Sequence, residues 1–331
     1  MSPTLLEVDD LVVHYPIARG LVGSALRRPR QAVHAVDGVS LSLAPGEMLA
    51  LVGESGCGKT TTAQAVMRLV DPVSGAIRFD GRDITHLGAG PMRPLRRRIQ
   101  IVYQDPYEAL DPRLRVRAAV EEPLLIHRLG GSKAERAQRV LEALARVELS
   151  PPELFAERYP HELSGGQRQR VAIAAGLVLE PMLLVADEPV SMLDVSVRAG
   201  VLKLLDRLRR SGLAILMITH DLSTAARFAD RIAVMYLGRI VEHGPAREVV
   251  RNPQHPYTKA LLSVVPHRDP RRQTRPEILR GETPDAVRIP PGCRFHPRCP
   301  VAIDVCRSQD PSLETPAGAG PAHQAACLLL N

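Results

Sequence analysis

The sequence predicts an α/β protein: a mostly parallel sheet, an antiparallel β layer ahead of it, and a small loop-rich extension at the C-terminal end. Three observations carry that prediction. Met48–Val52, Leu183–Ala186 and Leu213–Thr219 are short continuous apolar runs, with the length and composition of strands buried on both faces. Between them lie stretches with apolar residues at helical spacing, and strands that alternate with helices build parallel sheets. After about residue 250 the texture changes, as Pro, Arg and Cys crowd the chain and periodicity fades.

The elements follow in order. Residues 5–13 and 33–43 read as strands of the antiparallel layer. Between them, 17–32 carries Arg19, Arg27, Arg28, Pro29 and Arg30 and reads as an inserted loop. Met48–Val52 is followed by a Gly-rich turn and then a helical pattern. Ser132-Lys-Ala-Glu135 has the spacing of a capping box and opens a helix with Val140, Leu141, Leu144 and Val147 on its apolar face. Val201, Leu204, Leu205 and Leu208 mark a later helix that Gly212 stops.

Composition narrows the classes. The 331 residues suit about two domains, and the boundary is expected near 250. Aromatics are 3% and Trp is absent, so the core must be aliphatic. The net charge of +7 comes almost wholly from Arg, since Lys occurs only at 59, 133, 203 and 259. A basic balance admits nucleic acid, nucleotides or an anionic membrane surface; here it reads as a solvated surface rather than a dedicated patch. No apolar run approaches the ~20 residues of a membrane span, and the N-terminus lacks a signal-peptide pattern. The expectation is a cytoplasmic protein with any membrane role exerted through partners. Four of the five cysteines, Cys293, Cys299, Cys306 and Cys327, cluster in the tail and hint at a local site.

Gly53-Glu54-Ser55-Gly56-Cys57-Gly58-Lys59-Thr60 fits the G-x-x-x-x-G-K-[ST] pattern and sits between a buried strand and a helix. The glycines let backbone N–H groups curl around phosphate oxygens, and the helix N-terminus adds partial positive charge. Lys59 is expected to reach the β- and γ-phosphates of a nucleotide and Thr60 to hold Mg2+, with Thr61 in the same site. Cys57 stands at a wildcard position and is expected to be inert. Leu183–Glu188 is an apolar strand that ends in two carboxylates. Asp187 is expected to bind Mg2+. Glu188 is expected to act as general base toward the attacking water, a role worth ~10²–10⁴ in rate.

Leu163-Ser-Gly-Gly-Gln-Arg-Gln-Arg170 resembles the signature motif of ABC ATPases and lies between the phosphate loop and the Asp187-Glu188 strand, as in that family. The resemblance implies a P-loop NTPase core, with a RecA-like parallel sheet, an antiparallel β layer and a helical subdomain at about 105–180, forming a nucleotide-binding domain over 1–250. It implies ATP and Mg2+ as cofactors and a motor in which two subunits close over two ATP molecules. Ser164, Gly165, Gly166 and Gln167 would contact the γ-phosphate of ATP held by the opposite subunit. Gln104, in Tyr103-Gln-Asp-Pro106, resembles the Q-loop glutamine, which touches Mg2+ or water and signals to the membrane subunit. Asp194, in Ser191-Met-Leu-Asp194, resembles the D-loop aspartate, with Met192 where Ala is common. His220 resembles the switch histidine and Tyr15 the aromatic that stacks on adenine. Ala175 stands where the family usually has Arg.

Ala186–Ser196, Met235-Tyr-Leu-Gly238, Asn252-Pro-Gln-His-Pro-Tyr-Thr-Lys-Ala260 and the cysteine tail resemble the second ATPase subunit of oligopeptide and dipeptide importers. That implies a homologous ATPase as heterodimer partner, two permease subunits and an extracytoplasmic substrate-binding protein, at the cytoplasmic face of the inner membrane, without nucleic acid. Related subunits serve nickel or other small solutes, which stand as alternatives. A soluble ABC ATPase acting on DNA or the ribosome predicts a coiled-coil insertion or a second cassette, and this sequence has neither. Exporter ATPases often carry a fused membrane span and lack such a tail. The cysteine spacing, C-x₅-C-x₆-C-x₂₀-C, matches neither a ferredoxin run nor paired zinc knuckles. By spacing alone it leaves free thiols, zinc or an iron–sulfur cluster open. The resemblance adds that tails of this kind in peptide-importer ATPases can hold a [4Fe–4S] cluster.

Overall fold

The computed structural model of the chain describes residues 4–17, 31–264, 279 and 281–330. Most of the expected insertion at 17–32 lies outside them. The strands in chain order are β1 (Leu6–Pro16), β2 (Ala32–Leu43), β3 (Met48–Val52), β4 (Ser74–Phe79), β5 (Arg82–Asp83), β6 (Ile99–Val102), β7 (Leu183–Asp187), β8 (Ala214–Thr219), β9 (Arg231–Tyr236), β10 (Arg239–Pro245) and β11 (Gln324–Ala325). The helices are α1 (Lys59–Val66), α2 (Ala89–Arg98), α3 (Val116–Ile126), α4 (Lys133–Arg146), α5 (Pro152–Ala156), α6 (Gly165–Leu177), α7 (Val195–Arg210), α8 (Leu222–Phe228), α9 (Ala246–Arg251) and α10 (Pro256–Ser263). The chain divides into two compact units. One comprises 1–5, 43–48 and 86–218, the other 6–42, 49–85 and 219–331.

In the unit of 86–218, β6, β7 and β8 are parallel neighbours, with Ala186 between Val102 and Met217. β7 and β8 are buried along their whole length, as their unbroken apolar runs require. Helices α3 and α4 pack on α6. Ser132 caps α4 by accepting the Glu135 N–H at 3.1 Å, while the Glu135 carboxylate pairs with Arg139 one turn on. The expected capping box is therefore drawn partly into a helix-surface ion pair. Helix α7 buries Val201, Leu204, Leu205 and Leu208, and the chain leaves it through Gly212 at φ 104° before β8 begins.

In the other unit, an antiparallel sheet runs β2-β1-β4-β5. Leu6 faces Phe79 and Val8 faces Ile77 across β1 and β4. A bulge between Asp9 and Val12, with Asp10 at φ 45°, shifts the alternation so that Leu6 and Val8, then Leu11 and Val13, are buried. β3, wholly buried, lies parallel to β9; β10 returns antiparallel to β9 and takes β11 of the tail at its side.

The tail is more ordered than its composition suggests. It contains α10, a 3₁₀ turn at Asp304–Arg307 and β11. Glu242 on β10 is fully buried and accepts from the Gln254 N–H (2.8 Å), the His255 N–H (2.9 Å) and His323 Nε2 (2.8 Å). Three donors satisfy a carboxylate that would otherwise be too costly to bury. The core here also departs from the aliphatic expectation. Phe295 meets Tyr236 edge-on with ring centroids 5.2 Å apart, and Tyr257 lies 4.8 Å from Tyr236. Apart from Phe79, the buried Phe and Tyr side chains among the described residues gather where the tail docks.

Gly292 opens the cysteine segment at φ 67°, and a β-carbon there would lie 2.6 Å from the Cys306 carbonyl oxygen. Gly318 has φ 80° with open space around it. Gly292→Ala is therefore expected to cost more than the roughly 1–3 kcal/mol of backbone strain alone, and Gly318→Ala no more than that strain. Denaturant titration of both variants checks the order.

Candidate functional site

The phosphate-loop motif forms one closed turn between β3 and α1. Helix α1 starts at Lys59, with Gly58 ahead of it at φ 108°. A β-carbon on Gly53 would lie 2.2 Å from the Met235 carbonyl oxygen, so only glycine fits. Lys59, buried, turns its Nζ back to donate to the carbonyls of Gly53 (2.8 Å) and Glu54 (2.9 Å). Its Nζ also lies 3.7 Å from Cys57 Sγ. Burial pushes the Cys57 thiol up against the opposing pull of Lys59, which fits the expectation of an inert side chain. The Gly238 N–H donates to the Cys57 carbonyl at 2.9 Å and pins the loop from behind. Ser55, Gly56 and Thr60 are exposed along the open edge, and Thr61 is half-buried.

Sequence reasoning missed three residues beside this loop. The Tyr257 hydroxyl oxygen accepts the Glu54 N–H at 2.9 Å. The Glu54 carboxylate takes the Arg298 guanidinium at 2.7 and 3.2 Å and the Thr283 hydroxyl at 2.8 Å. Tyr257 stands in the Asn252–Ala260 stretch and Arg298 beside Cys299, so both lie in segments singled out by the sequence, but neither had a chemical signal of its own. Tyr15 closes β1 with its ring exposed, and His220 is exposed after β8. Asp221, next to His220, caps α8 by accepting from the N–H groups of Ser223 (2.8 Å) and Thr224 (3.3 Å). Burial raises the Asp221 carboxyl, and its hydrogen bonds to Ser223 and Thr224 outweigh that and hold it below the usual range.

In the other unit, Ser164 is the N-cap of α6 and a full capping box forms. The Gln167 N–H donates to Ser164 Oγ (3.3 Å), and the Ser164 N–H donates to Gln167 Oε1 (3.0 Å). Gly166 has no room for a β-carbon, which would lie 2.2 Å from Val197 Cγ1; Gly165 is half-buried. Asp187 is buried at the end of β7, and Glu188 follows in a left-handed conformation, φ 45°, with its N–H on the Ile218 carbonyl at 3.0 Å. A non-glycine residue held there stores roughly 1–3 kcal/mol of strain, of the kind that collects at functional sites. Ser191 Oγ donates to the Glu188 carbonyl at 3.1 Å, and Asp194 precedes α7. Gln104 is exposed on the wall of a cleft of about 810 Å³ whose lining includes Glu122, Ala175 and Asp187.

None of the four tail cysteines is in a disulfide. Burial pushes the Cys293 thiol up to about 11, and Cys306, Cys327 and Cys299 add to that electrostatically. Among the described residues, the metal-type trio with ligand atoms within 4.8 Å is a different one, His14, His34 and Asp37. There His14 Nε2 lies 3.0 Å from Asp37 Oδ1, and Arg294 pairs with Asp37 Oδ2. A guanidinium already occupies the position a cation would take.

Comparison with known proteins decides the family. The ABC transporter profile matches residues 36–191, and that of the oligopeptide/dipeptide transporter C-terminal region matches 241–306. The oligopeptide transport ATP-binding protein AppF of Bacillus subtilis (strain 168) is 46% identical over 99% of this chain and 98% of its own length. The chain belongs to the ATP-binding proteins of ABC transporters. A second member, the probable peptide ABC transporter ATP-binding protein y4tS of Sinorhizobium fredii (strain NBRC 101917 / NGR234), is 46% identical over 95% of this chain and 87% of its own. Among solved structures, the ATP-binding cassette MJ0796, a dimer in a post-hydrolysis state bound to ADP and Pi, aligns with a TM-score of 0.63 and 30% identity. That alignment covers 73% of this chain and 99% of MJ0796. The ATPase cassette fold expected from the signature is thus the fold of this family, and ATP hydrolysis is its activity.

The tail anchor brings a pH dependence. Burial pushes the His255 imidazole from 6.5 down to about 3, and its Nδ1 accepts the Tyr257 N–H at 3.1 Å. Below 6.5 the unfolded chain binds a proton that the folded chain refuses until about 3. Stability from this residue is therefore whole above the unfolded value and falls as pH drops, by at most about 1.4 kcal/mol per unit. The thermal midpoint is expected to fall between about pH 7 and 5. In His255→Asn, which keeps an acceptor without titrating, that slope is expected to flatten; an unaltered slope clears His255 of the effect.

Proposed function

We propose that this chain is the ATP-hydrolysing subunit of an importer for di- and oligopeptides, bound at the cytoplasmic face of the inner membrane through two permease subunits. Its expected partner in the nucleotide sandwich is a homologous ATPase, and cargo is expected to arrive from an extracytoplasmic binding protein. Residues 1–250 would act as the nucleotide-binding domain and 251–331 as the importer-type extension. The observation that carries the ATP reading is the glycine cradle itself, with Lys59 held against the Gly53 and Glu54 carbonyls at its mouth. AppF and y4tS, described as peptide transporters, support the cargo class. No helix among the described residues is long and apolar enough to cross a membrane.

In this reading Gly53–Thr61 wrap the phosphates through loop amides other than that of Glu54, which Tyr257 holds; Lys59 leaves the loop carbonyls for the β- and γ-phosphates, and Tyr15 stacks on adenine. Thr60, Gln104 and Asp187 hold Mg2+. Glu188 takes a proton from the attacking water, His220 steadies the γ-phosphate, and Asp194 lines the contact between subunits. Ser164–Gln167 present the N-terminus of α6 to ATP on the opposite subunit. The capping box supports that role, because it consumes the Ser164 and Gln167 amides internally and leaves the glycine amides between them to face an anion. The cleft beside Gln104 and Ala175 suits a docking helix of a permease.

The cysteine donors fit a thiolate-bound metal group. The likeness of the tail to those of peptide-importer ATPases favours a [4Fe–4S] cluster on Cys293, Cys299, Cys306 and Cys327, which would supply cross-linking of the tail when bound.

Two outcomes are expected. Glu188→Gln should lower hydrolysis by at least about a hundredfold and accumulate an ATP-bound pair of subunits on size exclusion; hydrolysis at the parental rate would remove Glu188 as the base. Protein prepared without oxygen should contain iron and acid-labile sulfide, lost in Cys306→Ser, and zinc in their place would refute the cluster.

A further inference from the structure

The phosphate loop contains a carboxylate, and the tail is built around it. All polar groups of Glu54 are engaged. Its N–H goes to the Tyr257 hydroxyl oxygen (2.9 Å), its carbonyl accepts from Lys59 (2.9 Å), and its carboxylate takes Arg298 and Thr283. Arg298 forks onto both carboxylate oxygens, at 2.7 and 3.2 Å, with its own side chain buried. We propose that Arg298 and Tyr257 are positioning residues for ATP binding: they hold Glu54 so that the phosphate loop stays open and electrically neutral when Lys59 swings away to the nucleotide. This rests on the ATP-binding reading of Gly53–Thr60.

The argument is one of charge and of preorganisation. A triphosphate entering the loop brings several negative charges to a place that already carries one on Glu54. Lys59 senses that carboxylate, so phosphates next to Lys59 sense it too. Burial alone would raise the Glu54 carboxyl, but the bonds to Arg298 and Thr283 prevail and keep it ionised. The negative charge therefore persists, and once Lys59 has moved to the nucleotide Arg298 is the cation still paired with it among the described residues. Meanwhile Lys59 ties the loop together through carbonyls that it must release on binding ATP. The Tyr257 bond to the Glu54 amide does not depend on Lys59 and keeps the backbone in place after that release. Tyr257 is itself immobilised, being wholly buried with its ring 4.8 Å from Tyr236 and 5.4 Å from Phe295.

The test is equilibrium binding of a magnesium-loaded, non-hydrolysable ATP analogue by calorimetry, together with the KM and kcat of the assembled transporter. Net charge on the Glu54–Arg298 pair is zero in the parent, negative in Arg298→Ala, positive in Glu54→Gln, and zero again in the double variant. Affinity is expected to follow that order. Arg298→Ala should weaken the analogue roughly ten- to a hundredfold and raise KM far more than it lowers kcat. Glu54→Gln should bind at least as well as the parent, and adding it to Arg298→Ala should restore most of the loss. The deficit of Arg298→Ala should shrink in high salt. If Arg298→Ala proves insoluble, Glu54→Gln alone reads the sign, and weaker binding by it overturns the proposal. Equal losses in Arg298→Ala and in the double variant, with a matching fall in thermal midpoint, would make the arginine a plain tail anchor and also overturn it. A parent that does not bind the analogue refutes the ATP reading itself. A parent that binds it, with all variants alike, refutes only the positioning role.

Discussion

The carbonyl oxygens of Met235 and Ala35 stand 2.2 and 2.1 Å from where β-carbons on Gly53 and Gly58 would be. This closeness is what makes an anion site out of a turn. Pressed against β9 and β2, the loop has no room for side chains on its inner side. The Gly238 amide bonds the Cys57 carbonyl, and the Asp37 amide bonds the Gly238 carbonyl, so the backing is itself fixed by backbone hydrogen bonds. With its inner side pinned and Gly56 and Gly58 in the left-handed region, the turn closes directly into the first residue of α1. The shape of the phosphate cradle follows from this packing of backbone on backbone.

Electrostatics then has to be balanced within a few ångströms. The +7 net charge reads at first as a basic surface. Much of the basic side-chain population is used locally instead. Arg298 serves Glu54, Arg294 serves Asp37 together with His14, and Arg170 and Arg207 both serve Glu148, whose carboxyl they hold down to about 2. The exposed pairs among these contribute little to stability. The buried arginines matter more for where they aim than for their number, since removing one partner strands a charge. Arg294 and Arg298 each sit next to a cysteine, Cys293 and Cys299, so one short segment delivers both ion pairs.

How much of this was legible in the sequence divides along physical lines. Strands β3, β7 and β8 were, because a strand buried on both faces must be apolar throughout. The phosphate loop was, because glycine and lysine at fixed spacing ahead of a helix start have few other uses, whereas the signature stood out through its likeness to a family motif. The bulge at Asp9–Val12 was not, since a one-residue shift in alternation leaves two plausible registers until a partner strand selects one. Glu135 was expected to complete a capping box and instead pairs with Arg139, because either neighbour satisfies a carboxylate about equally well. At Ser164 the same motif closed, because Gln167 offers an amide oxygen to the backbone. Tyr257, Thr283 and Arg298 were invisible as site residues: each lies more than two hundred positions from Glu54, and long-range pairing carries no periodic signal.

The tail is rich in Pro and Arg and has little periodicity. Its own contacts already supply several kinds of anchoring: the aromatic group around Phe295, the buried Glu242 with its three donors, the β11 edge pairing, and the two arginine ion pairs. Of these, the first three bind the tail to β9 and β10, which lie behind the phosphate loop, and the last reach the loop and its neighbouring strand directly. A tail held by the same groups that shape the loop is linked to it thermodynamically. The extension is therefore better understood as the rear wall of the nucleotide cradle than as an appendage to it.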